Sequence, residues 1–134
     1  YTSMGVLLSQ DLGNDYYAIG TDVWKLGDNI KIMGEATRSI QHFVSGDPLA
    51  AQARFAEGRQ YVLYFSQITK EESRVYTLVH TPMWMMQLGE GYTFLMRLLP
   101  DRSYRLKGVP AAYYDAMLFL YEAHPIEILN GSGS

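Results

Sequence analysis

With 134 residues the chain has the length of one ordinary domain, and a folded chain of this size buries roughly two-thirds of the surface it exposes when unfolded. Hydrophobic residues make up 48% of it and charged residues 19%, with eleven Tyr, five Phe and two Trp, which excludes disorder through lack of apolar material. A net charge of -3 argues against nucleic acid as a partner, because affinity for a polyanion comes mainly from Lys and Arg, and the absence of Cys excludes disulfides, thiolate metal ligands and a Cys nucleophile.

No apolar run approaches the roughly 20 residues needed to cross a bilayer, so no membrane span is expected. The chain opens at Tyr1 without Met or a basic signal region, which reads as a boundary made by processing or cloning. At the other end Asn130-Gly131-Ser132-Gly133-Ser134 reads as a flexible tail, leaving residues 1–129 as one α/β domain or the C-terminal part of a larger one.

In chain order, Ser3 is suited to cap a helix whose apolar residues Met4, Leu7, Leu8 and Leu12 fall at helical spacing and which Gly13 ends. The run Asp15 to Leu26, with Tyr16, Tyr17, Ile19, Thr21, Val23 and Trp24, predicts a strand. Gly27-Asp28 suits a two-residue hairpin loop, and Asn29 to Met33 alternates as a return strand would. Gly34 to Gly46 does not discriminate between loop and irregular strand. Asp47-Pro48 is the clearest local signal: a capping carboxylate, proline at the first helical position, then a helix over Leu49 to Glu57 stopped by Gly58.

Gln60 to Ile68 is apolar on both faces, which predicts a central strand covered by helices on each side. Val75 to Val79 has strand length and composition, Met83 to Leu88 suits one helical turn stopping at Gly89, Tyr92 to Leu99 is apolar, and Pro100-Asp101 marks a turn. Ala116 to Tyr121 predicts a last strand buried on both faces. The order strand, Pro48 helix, strand from Tyr16 to Phe65 predicts an α/β crossover, and the antiparallel hairpin makes the sheet mixed, with flanking helices. Such a sheet in isolation exposes an apolar edge and an uncovered face, so something is expected to cover them.

The chemistry-bearing residues are sparse. His42, His80 and His124 are too far apart for ligands converging from one element, so no metal site is predicted, although His124, just past the last strand, stands where a residue can face a cleft. The Gly-x-Ser-x-Gly elbow is missing outside the tail, where Gly131-Ser132-Gly133 is no such turn. Glu35, Asp47, Asp115 and Glu122 read as caps and surface groups, with Asp115 expected at the start of a buried run and in need of a partner such as an arginine. Gly89-x-Gly91 lacks the third glycine of a dinucleotide fingerprint, so no cofactor is predicted. Arg97, Arg102, Arg105 and Lys107 with Tyr104 read as a solvated rim, and Met83, Trp84, Met85 and Met86 either fill a core or offer an adaptable apolar surface.

Three blocks carry a family resemblance: Ser3-Met4-Gly5 through Tyr16-Tyr17-Ala18-Ile19-Gly20, then Met85-Met86-Gln87-Leu88-Gly89 with Tyr92, then Tyr114-Asp115-Ala116-Met117-Leu118-Phe119-Leu120 to Pro125. In order and spacing they resemble the final third of the erythromycin esterase-like hydrolases, also labelled succinoglycan-biosynthesis-like. That resemblance implies a mixed α/β architecture and an ester or lactone substrate. It also implies that the Glu, His and Arg proposed to act in those enzymes lie upstream of the matching region, so no catalytic residue is carried over.

The expectation is therefore a C-terminal segment of such a hydrolase, supplying sheet strands and a cleft wall, inert by itself, and covered by the missing N-terminal part of the same protein or by a second copy. A stand-alone α+β domain that docks an apolar small molecule or a protein on Met83 to Met86 is the alternative. A complete small hydrolase using His124 and a nearby carboxylate is the third.

Overall fold

The computed structural model describes residues 4–87, 92–99 and 104–126. The fold is a mixed α/β one, built on a four-stranded sheet of order β2-β1-β6-β3, with a two-stranded sheet, β4-β5, and helices flanking it. The elements are α1 (Met4–Leu12), β1 (Ile19–Lys31), β2 (Arg38–Val44), α2 (Pro48–Gln52), β3 (Gln60–Tyr64), α3 (Arg74–His80), β4 (Met83–Met86), β5 (Arg105–Gly108), α4 (Pro110–Tyr113) and β6 (Ala116–Ala123).

The predicted α1 is present and ends at Gly13, whose φ of 51° is the left-handed conformation that closes a helix; its proposed cap, Ser3, lies outside the described residues. The strand that follows runs for 13 residues, straight through the expected hairpin loop at Gly27-Asp28. Gly27 is a strand residue instead. It is buried, and a Cβ built on it would stand 3.0 Å from Pro125 Cδ and 3.6 Å from the His42 ring, so glycine here answers a close approach rather than a turn. The expected return strand Asn29 to Met33 mostly continues β1. The partner across the hairpin is β2, from the stretch whose pattern does not discriminate, with Lys31 opposite Arg38 and Lys25 opposite Val44.

The expected crossover pairing is corrected as well. β1 runs parallel not to β3 but to β6, Thr21 opposite Leu118, and β3 lies antiparallel on the far side of β6 as an edge strand, Val62 opposite Leu118. The central strands are β1 and β6, so the apolar run Gln60 to Ile68 is not central, and its strand ends at Tyr64, where a 3-10 turn over Phe65–Gln67 begins. Val75 to Val79 belongs to α3. The Ser73 hydroxyl accepts the Tyr76 amide at 3.1 Å and starts a helix that overrides the strand preference of Val and Tyr. Conversely, Met83 to Met86 is β4 rather than a helical turn: Met83 and Met85 are buried while Trp84 and Met86 are half-buried, a period of two. Gly89, Pro100 and Asp101 lie outside the described residues.

The inner face of the main sheet packs on α2, α3 and β4. Leu49, Ala50, Ala53, Phe65, Val79, Met83, Met85, Met117 and Phe119 make the principal core, and Ile30, Phe43 and Tyr92 a second one. The outer face has no such layer among the described residues. Thr21 and Val23 of β1 are flanked by Leu118 and Leu120 of β6, which are flanked by Val62 and Gln60 of β3. Towards the rims of this face Ile19 is 63% exposed, Ile40 55%, and Val62 and Tyr64 45% each. α1 likewise leaves Val6, Leu7, Leu8 and Leu12 exposed.

Candidate functional site

Along β1 the inner face is Gly20, Asp22, Trp24 and Leu26, so alternation alone carries one carboxylate into the core between a glycine and a tryptophan. Asp22 is 1% exposed. It meets a second buried carboxyl because β2 ends at Val44 and the chain turns at Ser45-Gly46 into the capping residue of α2, Asp47, which is 0% exposed. The expected role of Asp47 as a cap is confirmed: its Oδ1 accepts the Leu49 amide at 2.7 Å, with Pro48 in the first turn.

Ser45 joins the two carboxyls. Its hydroxyl donates to Asp22 Oδ2 at 3.2 Å and accepts the Asp47 amide at 3.1 Å. Asp22 Oδ2 also accepts the Met86 amide at 3.2 Å, reaching from the main sheet to β4. Asp22 Oδ1 and Asp47 Oδ2 are buried and, among the described residues, receive no donor. Desolvation raises the proton affinity of both carboxyls. Asp47 is pushed up to about 7 by burial first and by the neighbouring charge of Asp22 second, whereas Ser45 and the Met86 amide oppose the rise at Asp22. Tyr61 on β3 borders the cluster, donates its hydroxyl to the Leu49 carbonyl at 2.7 Å, and keeps its phenol proton to higher pH than an ordinary tyrosine through burial and the charge of Asp47.

This cluster is closed to solvent, so it holds elements together and offers a substrate nothing to touch. Sequence reading singled out Asp47 but missed Asp22. The signal was available in the alternation, since Asp22 lies on the strand face that Trp24 and Leu26 also occupy.

The other candidates do not assemble. His42 is exposed on β2, His124 is exposed beyond β6, and His80 is exposed at the end of α3, where its Nδ1 lies 3.0 Å from the Tyr76 carbonyl and its ring stacks on Tyr76 at 4.0 Å. Glu35 is exposed. Glu122 forms an open ion pair with Arg59 at 4.0 Å, worth little at the surface. Asp115, expected buried beside an arginine, is exposed, and its partner is backbone: Oδ2 accepts the Ala18 amide at 2.8 Å at the mouth of the parallel strand pair. No group of three His, Asp or Glu able to hold a metal ion occurs among the described residues, and no helix there is long and apolar enough to cross a membrane. Arg105 caps β2 with a forked contact to the Val44 carbonyl, 3.1 Å from Nε and 2.8 Å from Nη2, and Lys107 lies over the Trp84 ring. Of the Met83 to Met86 segment considered for docking, Met83 and Met85 fill the core while Trp84 and Met86 are half-buried.

Among the described residues there is a concave feature large enough for a ligand. A cleft of about 930 Å³ opens between α1, the segment leading into β1 and the α4 segment; Gln10, Tyr16, Tyr17, Tyr113, Tyr114 and Asp115 are among its lining. Tyr114 is fixed there by Gly20, whose missing Cβ would stand 3.0 Å from its ring.

No known family's model matches the chain, and no curated protein matches it. Two solved structures do. A succinoglycan biosynthesis protein matches with a TM-score of 0.65 and 9% identity over 90% of this chain and 27% of its own, and a protein from Bacillus cereus matches with a TM-score of 0.66 and 15% identity over 92% and 29%. At these identities the likeness is one of fold, and the chain spans less than a third of the length of either structure.

Proposed function

We propose that this chain is the C-terminal segment of a larger α/β hydrolase of the erythromycin esterase-like kind, acting on an ester or lactone. In this reading it supplies sheet strands and a cleft wall, and the reacting groups come from elsewhere in the protein. The observation that carries the reading is the outer face of the main sheet, where Ile19, Val23, Leu118, Leu120, Val62 and Tyr64 form one apolar surface that an α/β protein ordinarily buries under a layer of helices. The rest of the longer chain is the cover, and the tyrosine-lined cleft beside α1 is the wall against which an apolar ester or lactone lies.

Ester hydrolysis needs a placed general base and a stabiliser for the developing charge, and the exposed, scattered His42, His80 and His124 form no such pair here. The test compares hydrolysis of aryl esters and of a macrolactone by residues 1–134 and by a form extended upstream. Turnover confined to the extended form is the expected result. Turnover by the short chain, abolished in His124→Ala, would establish the complete small hydrolase in its place, and turnover by neither would remove the hydrolase assignment.

A further inference from the structure

We propose that Asp22 and Asp47 act as one proton-sharing latch, which pins α2 and β4 to the main sheet when a proton bridges the pair and loosens both when that proton leaves. The geometry requires something between the carboxyls. Two side chains that are 1% and 0% exposed face each other, and one oxygen of each receives no donor among the described residues. A single proton removes the repulsion and turns one acid into a donor for its neighbour. The other oxygens are already engaged: Asp22 Oδ2 by the Ser45 hydroxyl and the Met86 amide, Asp47 Oδ1 by the Leu49 amide.

Among the described residues, the groups facing the pair are few. The turn after β2 presents Ser45, α2 its first amides, β4 the Met86 amide, and β3 the Tyr61 phenol, which stays protonated. The neighbouring cation on β5, Arg105, directs Nε and Nη2 to the Val44 carbonyl. Among the described residues no cation pairs with either carboxyl, so the pair depends there on a proton, and the dependence has a definite sign. Asp47 holds its proton in the folded chain up to about pH 7 but only to about 3.8 when unfolded. Its contribution to stability is therefore complete below the lower value, falls as the pH rises between the two, and is lost above about 7.

The experiment follows urea unfolding of the wild-type chain and of Asp47→Asn at several pH values between the two limits and above them, with and without EDTA. The Asp47→Asn variant retains a helix cap and supplies an amide donor to Asp22 without a titrating proton. The expected result is a wild-type folding constant that falls by up to about tenfold per pH unit over the window, against a shallower profile for Asp47→Asn, in which the buried Asp22 alone still titrates. Equal slopes in the two proteins would overturn the proposal, as would a wild-type profile that changes with EDTA or with added Ca²⁺, because a cation would then occupy the place assigned to the proton. Should Asp47→Asn fail to fold, Asp22→Asn supplies the same comparison from the other side. Hydrogen exchange in the wild type provides a second reading: Met86 and Leu49 amides lose protection above the window before the β1–β6 ladder does, and simultaneous loss would exclude a latch local to α2 and β4.

Discussion

Gly46 makes room for Trp84: a Cβ built on Gly46 would stand 2.5 Å from the Trp84 Cβ and 3.5 Å from its carbonyl oxygen. The turn between β2 and α2 therefore lies directly on β4, one residue from both Ser45 and Asp47. Because the nearest atom is a Cβ, fixed to the backbone, no rotamer change relieves the overlap. Gly46→Ala is expected to destabilise the chain by about 1–3 kcal/mol through overpacking, read as a lower urea midpoint with unchanged m. An unchanged midpoint would show that β4 moves away freely.

Tyr61 supplies a second test of how α2 is held. Its hydroxyl donates to the Leu49 carbonyl at 2.7 Å from a half-buried position on the edge strand, and its ring stacks on Phe119 at 5.1 Å. Tyr61→Phe keeps the stacking and removes the donor, so a loss of about 0.5–1.5 kcal/mol is expected in the same unfolding assay. Burial and the Asp47 charge hold the Tyr61 phenol proton beyond the ordinary tyrosine range. In a spectrophotometric alkaline titration Tyr61 should then ionise late, and the late absorbance step should shrink by one tyrosine in Tyr61→Phe.

Ser45 is the hinge of the carboxyl cluster. Its hydroxyl donates to Asp22 and accepts from the Asp47 amide, so Ser45→Ala removes the contact that most favours the charged form of Asp22. The expected outcome has two parts. Stability at neutral pH falls by about 1–3 kcal/mol, the usual cost of leaving buried polar groups without a partner. The pH-dependent decline also extends to higher pH than in the wild type, because the pair holds its proton more tightly. A parallel offset with no change of profile would separate Ser45 from the titration.

What the sequence revealed tracks where local chemistry outweighs tertiary packing. The Asp47-Pro48 cap, the Gly13 stop and the last strand were legible because each depends on neighbours within a few residues. Gly27 misled because a glycine followed by aspartate has the composition of a turn, whereas its cause is a distant proline that closes on β1. Val75 to Val79 misled because strand propensity yields to a capping serine two residues upstream. The parallel pairing of β1 with β6 joins residues nearly a hundred positions apart, and no local pattern encodes it. Of the carboxyl cluster, Asp47 was visible through its capping role, while the expected burial of Asp115 failed because its run begins one residue later, at Ala116.

The outer face of the sheet yields the last prediction. Val62 on the edge strand and Ile40 on the opposite edge strand are half exposed; Val62 lies beside Leu118 in register, and Ile40 lies opposite Asn29. Replacing a half-exposed side chain on an open face removes little burial, so Val62→Glu with Ile40→Glu should change the stability of the short chain by no more than about 0.5 kcal/mol per site. The same charges interrupt an apolar surface and two strand edges prone to self-association, so the variant should elute as a smaller species, or aggregate more slowly, on gel filtration of concentrated samples. In a longer protein where helices lie on this face the sign reverses. Burying two carboxylates beneath an apolar layer costs several kcal/mol, and the double variant should lower the midpoint of the extended form far more than that of the short one. Equal effects in the two forms would mean that the added sequence does not cover the sheet, and the proposed place of this chain within a larger α/β protein would have to be abandoned.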